Sequence, residues 1–165
     1  MYGDGNMSYF NSPRSSIGSV TIPAARLRFA GAIQFGSQAL NAATPGSDTD
    51  YVISAKGFNA FIENIDCSLY LNDLEQTCDT IPPTGTNYFI RNFLTDEGHI
   101  DIVVLEHQKH VQAMANAVAV VKQLPAIQRK TKSIRVEAFR KALLAEGFIS
   151  VNTWYKFKKL LKGLL

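Results

Sequence analysis

The spacing of hydrophobic and polar positions changes along the chain, from short apolar runs to helical periodicity. Ala32 to Phe35 and Asp50 to Ser54 are short apolar or β-branched runs, which predict two strands joined by a tight loop. The segments YFIRNFL and HIDIVVLE flank the turn TDEG and predict a β-hairpin. IPAARLRFAG has a proline near its start and a glycine at its end, the order typical of a short helix.

From Glu106 onward, apolar residues recur three and four positions apart and predict helices. One helix begins near Glu106, a second covers roughly 133–146 and ends at Gly147, and a third starts near 151. Earlier, FNAFIENIDCSLYLNDLEQT predicts one helix followed by a less regular stretch. The whole pattern predicts an α/β (α+β) fold, in which a short mixed sheet is flanked by helices and followed by a helical C-terminal portion.

The organisation predicted from these elements is one domain over residues 21–165, with a core at about 31–105 and C-terminal helices over 106–165. Residues 1–20 lack a sustained period and contain turn formers, so they are expected to form a flexible N-terminal arm or a strand that adds to another sheet. No internal repeat divides the chain further.

Composition narrows the functional classes. The chain has 165 residues, 46% of them hydrophobic and 19% charged, as in ordinary soluble domains. Its net charge of +3 does not by itself indicate nucleic-acid binding, although residues 122–162 hold eleven Lys or Arg against two acidic residues. Cys67 and Cys78 lack the spacing of a zinc site or a disulfide framework. With no apolar signal region and no membrane-length segment, a cytoplasmic location is expected.

The segment IQFGSQALNAATPGSDTDYVI carries the candidate chemistry. Gly36-Ser37 ends one predicted strand, and Asp48-Thr49-Asp50 opens the next after ten intervening residues. Residues at i and i+2 on a strand share a face, so Asp48 and Asp50 should present adjacent carboxylates. Hard oxygen ligands of this kind suit Mg²⁺, while glycine lets the backbone approach a phosphate and Ser37 can donate to its oxygens. The segment therefore predicts a phosphate site facing a metal site.

Asp101, in HIDIVVL, is the candidate third acid. Strand alternation puts its side chain on the face shared by His99 and Val103, with Ile100, Ile102 and Val104 buried behind.

The segment IQFGSQALNAATPGSDTDYVI resembles, nearly position for position, the signature of the polymerase-beta-like nucleotidyltransferase superfamily, in particular its small "minimal" branch. That signature is a strand, Gly-Ser, about ten residues, Asp-x-Asp and a later strand Asp. The residues that match it are Gly36, Ser37, Ala39, Ala43, Thr44, Pro45, Ser47, Asp48, Asp50 and Asp101. Where many relatives have Arg-Gly after Gly-Ser, this chain has Leu40-Asn41, so one basic contact to the phosphates is missing or supplied elsewhere.

The resemblance implies a metal-dependent nucleotidyltransferase that moves a nucleoside monophosphate from an NTP to a hydroxyl acceptor and releases pyrophosphate. Asp48, Asp50 and Asp101 would be the catalytic residues and the ligands of Mg²⁺ or Mn²⁺. Gly36, Ser37 and Ser47 would bind the nucleotide, with ATP as the first candidate. The acceptor would be a protein, a nucleic-acid end such as that of RNA, or a small molecule, with a protein partner also possible. The alternative is a catalytically silent module that binds a nucleotide or a partner.

Four other features have plainer interpretations. His107 and His110 lie three residues apart near a helix start without a third metal ligand, which favours an exposed helix face. His99 could reach the metal shell or the nucleotide, although a hairpin-turn residue is the favoured interpretation. Arg91 would point toward the phosphates if its strand borders Asp101, but the pattern does not assign it a face. The basic segment Gln128 to Arg135 is expected to be a solvated connection rather than a phosphate site.

The last segment, WYKFKKLLKGLL, places apolar residues along one stripe and predicts a helix docked on the core. Binding to a membrane surface is the less favoured interpretation of the same basic amphipathic pattern.

Overall fold

The computed structural model of the chain describes residues 22–63 and 69–164. The predicted N-terminal arm and Cys67 lie outside the described residues. The strands are β1 (Ile33–Phe35), β2 (Asp50–Ser54), β3 (Asn72–Asp73), β4 (Thr80–Ile81), β5 (Tyr88–Thr95), β6 (Gly98–Leu105) and β7 (Ile149–Ser150). The helices are α1 (Ala24–Phe29), α2 (Gly36–Ala39), α3 (Ala55–Ile62), α4 (Gln108–Lys122), α5 (Ala126–Lys130), α6 (Lys132–Ala145) and α7 (Val151–Leu164), with a 3-10 turn at Leu74–Gln76.

Five strands form one mixed sheet in the order β1-β2-β6-β5-β3. The central pair, β2 and β6, is parallel, whereas the β1–β2, β5–β6 and β3–β5 pairs are antiparallel. The predicted hairpin is confirmed as β5 and β6, and β4 pairs with β7 in a separate two-stranded sheet. The predicted fold class, a mixed sheet with helices around it and a helical C-terminal portion, is therefore confirmed.

Side chains alternate between two cores on opposite faces of the sheet. On one face, Tyr51, Ile53 and the predicted buried residues Ile100, Ile102 and Val104 pack with α1 and α3. On the other, Val52, Val103 and Leu105 pack with the apolar sides of α4 and α6. Because Asp50 and Asp101 precede Val52 and Val103 by two positions, they share this second face.

Local interactions explain where several helices begin and end. The Asp96 carboxylate accepts a hydrogen bond from the Ala24 N–H at 2.8 Å and so fixes the start of α1. Ser54 caps α3 by accepting from the Gly57 N–H at 3.0 Å. The predicted end of α6 is confirmed, since Gly147 has φ +99° and the Phe148 N–H returns to the Leu143 carbonyl at 3.0 Å.

Away from the acidic residues and the histidines, the structure differs from the sequence prediction in three places. The first two strands are not joined by a tight loop alone, because α2 begins directly at Gly36. The predicted basic connection contains α5, which starts after Pro125. The predicted docking of the whole C-terminal stripe is wrong, because its members Phe157 and Leu161 are 50% and 43% exposed. None of the helices within residues 22–63 and 69–164 combines the length and apolarity that crossing a membrane requires.

Candidate active site

Two of the three predicted acids meet in the centre of the sheet. Asp50 and Asp101 are register partners at the start of the parallel β2–β6 pairing. The Asp101 N–H donates to the carbonyl of Thr49 at 2.9 Å, which continues the pairing just before β2. Residues in register on neighbouring parallel strands project toward the same face. Two carboxylates that are 51 positions apart in the sequence are thereby adjacent in space.

Asp48 lies beside this pair but not on the strand. β2 starts at Asp50, so Asp48 is in the preceding loop and is exposed, unlike the prediction that the two share a strand face. Its negative charge still contributes to raising the pKa of both Asp50 and Asp101. The three acids therefore interact electrostatically, with Asp48 on the solvent side.

A tight turn positions Asp48. The Ser47 N–H donates to the Thr44 carbonyl at 2.9 Å, and Pro45 and Gly46 occupy the two central positions with Gly46 at φ +86°. A proline followed by a glycine with positive φ is typical of a type II turn. The Ser47 hydroxyl oxygen accepts from the Thr44 N–H at 2.8 Å. Ser47, predicted as a nucleotide contact, thus stabilises the turn, and its hydroxyl also pairs with the Thr44 hydroxyl at 3.3 Å.

Gly36 lies against Asp50. Phe35 pairs with Asp50 across the β1–β2 ladder, and the chain then turns into α2 with Gly36 at φ +76°. This is a left-handed conformation that glycine adopts without strain. Gly36 and the half-buried Ser37 carry the first N–H groups of α2, which have no partner within a helix. The predicted phosphate-binding residues therefore border the acids.

Burial and like charges perturb the site. Burial, followed by the charges of Asp101 and Asp48, raises the pKa of Asp50 to about 7. Burial is also the main cause that raises the pKa of Asp101. The charged form of each carboxyl group is thus disfavoured by burial and by its acidic neighbours.

A bulge in β5 supplies further contacts to Asp101 that the sequence did not predict. The β5–β6 register shifts between Ile90 and Phe93, and Asn92 has φ +57°. The Asn92 N–H donates to Asp101 Oδ1 at 3.0 Å, which opposes the rise in the Asp101 pKa. The positive charge of Arg91 acts in the same direction, so Arg91 lies on the Asp101 side of the sheet. A bulge leaves no periodic signal in the sequence, and these roles were therefore missed.

The side chains of the protein alone do not form a complete set of metal ligands. Within the described ranges, 22–63 and 69–164, no three His, Cys, Asp or Glu side chains form a group that could hold a metal ion. One oxygen of Asp101 is already engaged by the Asn92 N–H. The acids thus form an adjacent pair with a third charge nearby rather than a closed ligand set.

The three histidines of the chain are divided between core and surface. His110 is buried, with its ring edge-on to Phe148 at 5.8 Å between ring centroids, so the predicted exposed face is wrong for this residue. His107 is half-buried and packs edge-on to His110 at 5.5 Å. His99 is exposed and pairs with Leu94 in the β5–β6 ladder.

The two arginines of the basic segment are bound to helix ends. Arg129 Nη1 donates to the Leu124 carbonyl at 3.2 Å, and Arg135 Nη1 donates to the Arg129 carbonyl at 3.2 Å. These bonds satisfy carbonyl groups around α5, which gives the segment a structural role.

Comparison with known proteins adds no relative. The chain matches no protein-family model, no curated protein and no solved structure.

Proposed function

We propose that this protein is a metal-dependent nucleotidyltransferase, which transfers a nucleoside monophosphate from an NTP, with ATP as the first candidate, to a hydroxyl acceptor. The observation that carries the proposal is the register pairing of Asp50 with Asp101 beside the backbone of Gly36. Like-charged carboxylates are held together in a partly buried position, which costs free energy in the absence of a cation. Residue pairs of this kind are typical of functional sites.

The donor set fits Mg²⁺ or Mn²⁺ that is bound jointly with a substrate. Mg²⁺ usually takes one or two carboxylates from a protein and completes its shell with water and phosphate oxygens. Asp50, Asp101 and the exposed Asp48 supply such oxygens on one side of the site. A closed group of three protein ligands is therefore not required before the nucleotide arrives. When bound, the metal would neutralise charge on the triphosphate and lower the pKa of the attacking hydroxyl.

The chain's own groups have distinct roles in the proposed reaction. The N–H groups of Gly36 and Ser37 and the hydroxyls of Ser37 and Ser47 donate to the triphosphate and orient it. The acceptor oxygen attacks the α-phosphorus, a new O–P bond forms, and the bond between the α-phosphorus and the pyrophosphate oxygen breaks. Asp101 accepts the proton of the acceptor hydroxyl, a role helped by the burial that raises its pKa.

Several parts of the function stay predictions from the resemblance. The acceptor class is a protein, a nucleic-acid end such as that of RNA, or a small molecule, and a protein partner and a cytoplasmic location are expected. A second candidate function, a silent module that binds a nucleotide or a partner, is favoured by one observation. This is that the described parts of the chain contain no group of three metal-ligating side chains.

Labelled NTPs test the proposal. Each NTP, labelled at the α-phosphate, is incubated with the protein, Mg²⁺ or Mn²⁺ and cell lysate, and the products are treated with protease or nuclease. Metal-dependent transfer by the natural protein that is lost in Asp50→Asn supports the enzyme. Glu97→Gln is the matched control, because Glu97 is an exposed carboxylate that pairs with Arg28 at 3.0 Å, away from the acids. Metal-dependent NTP binding without any transfer would favour the silent module, and absence of NTP binding would exclude the enzyme and leave only a silent module that binds a partner.

A further inference from the structure

A cavity of about 460 Å³ lies between the sheet and α6 on the face that carries Asp50 and Asp101. β6 contributes Val103 and Leu105, which follow Asp101 by two and four positions and therefore share its face. The α6 residues lining the cavity recur at helical spacing and are Val136, Phe139, Arg140 and Leu143. The volume is in the range of clefts that hold small organic ligands.

The cavity borders the acids without including them in its lining. Phe35 lines it, directly precedes Gly36 and pairs with Asp50. The Phe35 ring stacks on Phe139 of α6, with ring centroids 6.3 Å apart and an 11° angle between planes. Cys78 also lines the cavity. Burial is the main cause that raises the pKa of the Cys78 thiol, and the negative charge of Asp50 contributes to the rise. The lining residues Phe35 and Val103 thus lie next to the acid pair, one as the register partner of Asp50 and the other two positions after Asp101.

The lining is suited to an apolar ligand. Apolar side chains provide most of it, and the two threonine hydroxyls in it are already engaged as donors. Thr77 donates to the Leu74 carbonyl at 3.0 Å, and Thr80 donates to Asp79 Oδ1 at 3.2 Å. Charge is confined to one pair, Arg140 Nε and Asp79 Oδ2, which are 3.8 Å apart. A nucleobase would leave several donors and acceptors of its edge unpaired here, at a cost in free energy that an apolar ring avoids.

We infer that this cavity binds the acceptor, a small hydroxyl compound with a flat apolar body whose hydroxyl projects toward Asp101. The assignment as acceptor rests on the proposed function, and it narrows the acceptor to one of the three classes named above. The apolar body lies against Val103 and Phe139, and the hydroxyl oxygen attacks the α-phosphorus. The proton passes to Asp101 and pyrophosphate leaves, so the atoms balance without a further reactant.

A tryptophan at the cavity wall tests the inference. Val136 lines the cavity but is 51% exposed, so Val136→Trp is expected to fill the space without unfolding the domain. Val120 of α4 has a matched exposure of 56% and lies outside the cavity, so Val120→Trp is the control. The probe is 2-naphthol, a flat apolar hydroxyl compound, and its binding to the full chain is measured by calorimetry. Val136→Trp is expected to raise the dissociation constant of 2-naphthol at least tenfold, and Val120→Trp less than twofold.

The same proteins are titrated with Mg·ATP. Under the inference, Val136→Trp leaves Mg·ATP binding within twofold of the natural protein, whereas Asp50→Asn weakens Mg·ATP binding and leaves 2-naphthol binding intact. Equal loss of 2-naphthol and Mg·ATP binding in Val136→Trp would assign the cavity to the nucleobase and overturn the inference. Unchanged 2-naphthol binding in Val136→Trp, or none in the natural protein, would also overturn it. If the Trp variant loses its circular dichroism spectrum, Val136→Arg, which obstructs the same space, replaces it.

The two proposals fail in different ways. If the natural protein binds 2-naphthol through the cavity but shows no metal-dependent NTP binding, the nucleotidyltransferase proposal fails and the acceptor role fails with it. If NTP transfer proceeds to an RNA end at the same rate in Val136→Trp and the natural protein, the enzyme proposal stands and the cavity inference is overturned.

Discussion

The backbone of Gly36 and the carboxylate of Asp50 lie so close together that a Cβ on residue 36 would collide with Asp50 Oδ2. Gly31 provides a contrast, because it also has a positive φ, +97°, yet a Cβ there would meet no atom within 4 Å. A positive φ is thus common to both glycines, and close approach to a carboxylate is particular to Gly36. The start of α2 therefore lies directly beside the Asp50 carboxylate.

Gly36→Ala is expected to lose both stability and Mg·NTP binding. Gly31→Ala is the control and should lower the free energy of unfolding by about 1 kcal/mol through backbone strain alone. Gly36→Ala should cost more than this, because the Asp50 carboxylate must move as well. Chemical denaturation and calorimetric titration with Mg·ATP measure the two effects. Equal stability and equal Mg·ATP affinity in the two variants would show that close approach at Gly36 has no role.

Asp50→Asn is expected to stabilise the metal-free protein at alkaline pH. The pKa of Asp50, raised to about 7 in the fold by burial and by neighbouring acids, exceeds its ordinary value of about 3.9 in an unfolded chain. Stability from this group is therefore fully present below about pH 4 and is lost as the pH rises through 7. A shift of this size corresponds to about 4 kcal/mol as an upper bound, and partial exposure to water reduces the expected effect to about 2 kcal/mol.

The measurement is the free energy of unfolding of both proteins in EDTA at pH 5 and pH 8. The natural protein should lose about 1 kcal/mol more than Asp50→Asn between these two values, because part of the total effect is already lost below pH 5. Adding Mg²⁺ at pH 8 should restore stability to the natural protein and have little effect on the variant. A difference between the two proteins that stays constant with pH would contradict the assigned shift.

Strand periodicity was sufficient to predict the centre of the fold. Alternation in HIDIVVL assigned Ile100, Ile102 and Val104 to one core and put Asp101 on the other face, because a side-chain period of two leaves few alternatives for a strand with one face in a core. The hairpin turn and the glycine that ends α6 were also predicted, because both depend on local sequence. The adjacency of Asp50 and Asp101 was expected from the resemblance, because no local pattern encodes which distant strands pair.

What the sequence could not supply comes from nonlocal contacts. The Asn92 bulge, which gives Asp101 a backbone partner, is set by the twist of the β5–β6 pair and leaves no compositional sign. The cavity depends on how α6 crosses the sheet, which helical periodicity does not determine. The C-terminal stripe was assigned to the core because apolar residues on one helix face are usually buried, yet here Phe157 and Leu161 are exposed.

Asp101→Asn is expected to abolish transfer while leaving the fold intact. In the natural protein the Asn92 N–H donates to Asp101 Oδ1 at 3.0 Å, and the side-chain oxygen of an asparagine can still accept this bond. The neutral amide cannot take a proton from the acceptor hydroxyl. Loss of a general base costs roughly 10²- to 10⁴-fold in rate. Steady-state kinetics should show the loss in kcat, with the KM for the NTP changed less, and the melting temperature should stay near that of the natural protein. Retained transfer in this variant would assign the proton to another group.

Glu75→Gln is expected to loosen α7 from the body of the protein. Glu75 accepts from the Trp154 indole N–H at 2.6 Å and from Lys158 Nζ at 3.0 Å, and the Lys158 ammonium also lies 5.1 Å from the centre of the Trp154 ring. The neutral amide would weaken both bonds, by about 1 to 2 kcal/mol together, because charged acceptors make stronger hydrogen bonds.

Trp154 is the only tryptophan in the chain, so its fluorescence reports on α7 alone. A red shift of the emission and easier quenching by iodide are expected in Glu75→Gln but not in the control, Glu97→Gln. An unchanged spectrum would mean that Glu75 does not hold α7, and packing of the half-buried Trp154 side chain against the core would then be the main contact to test.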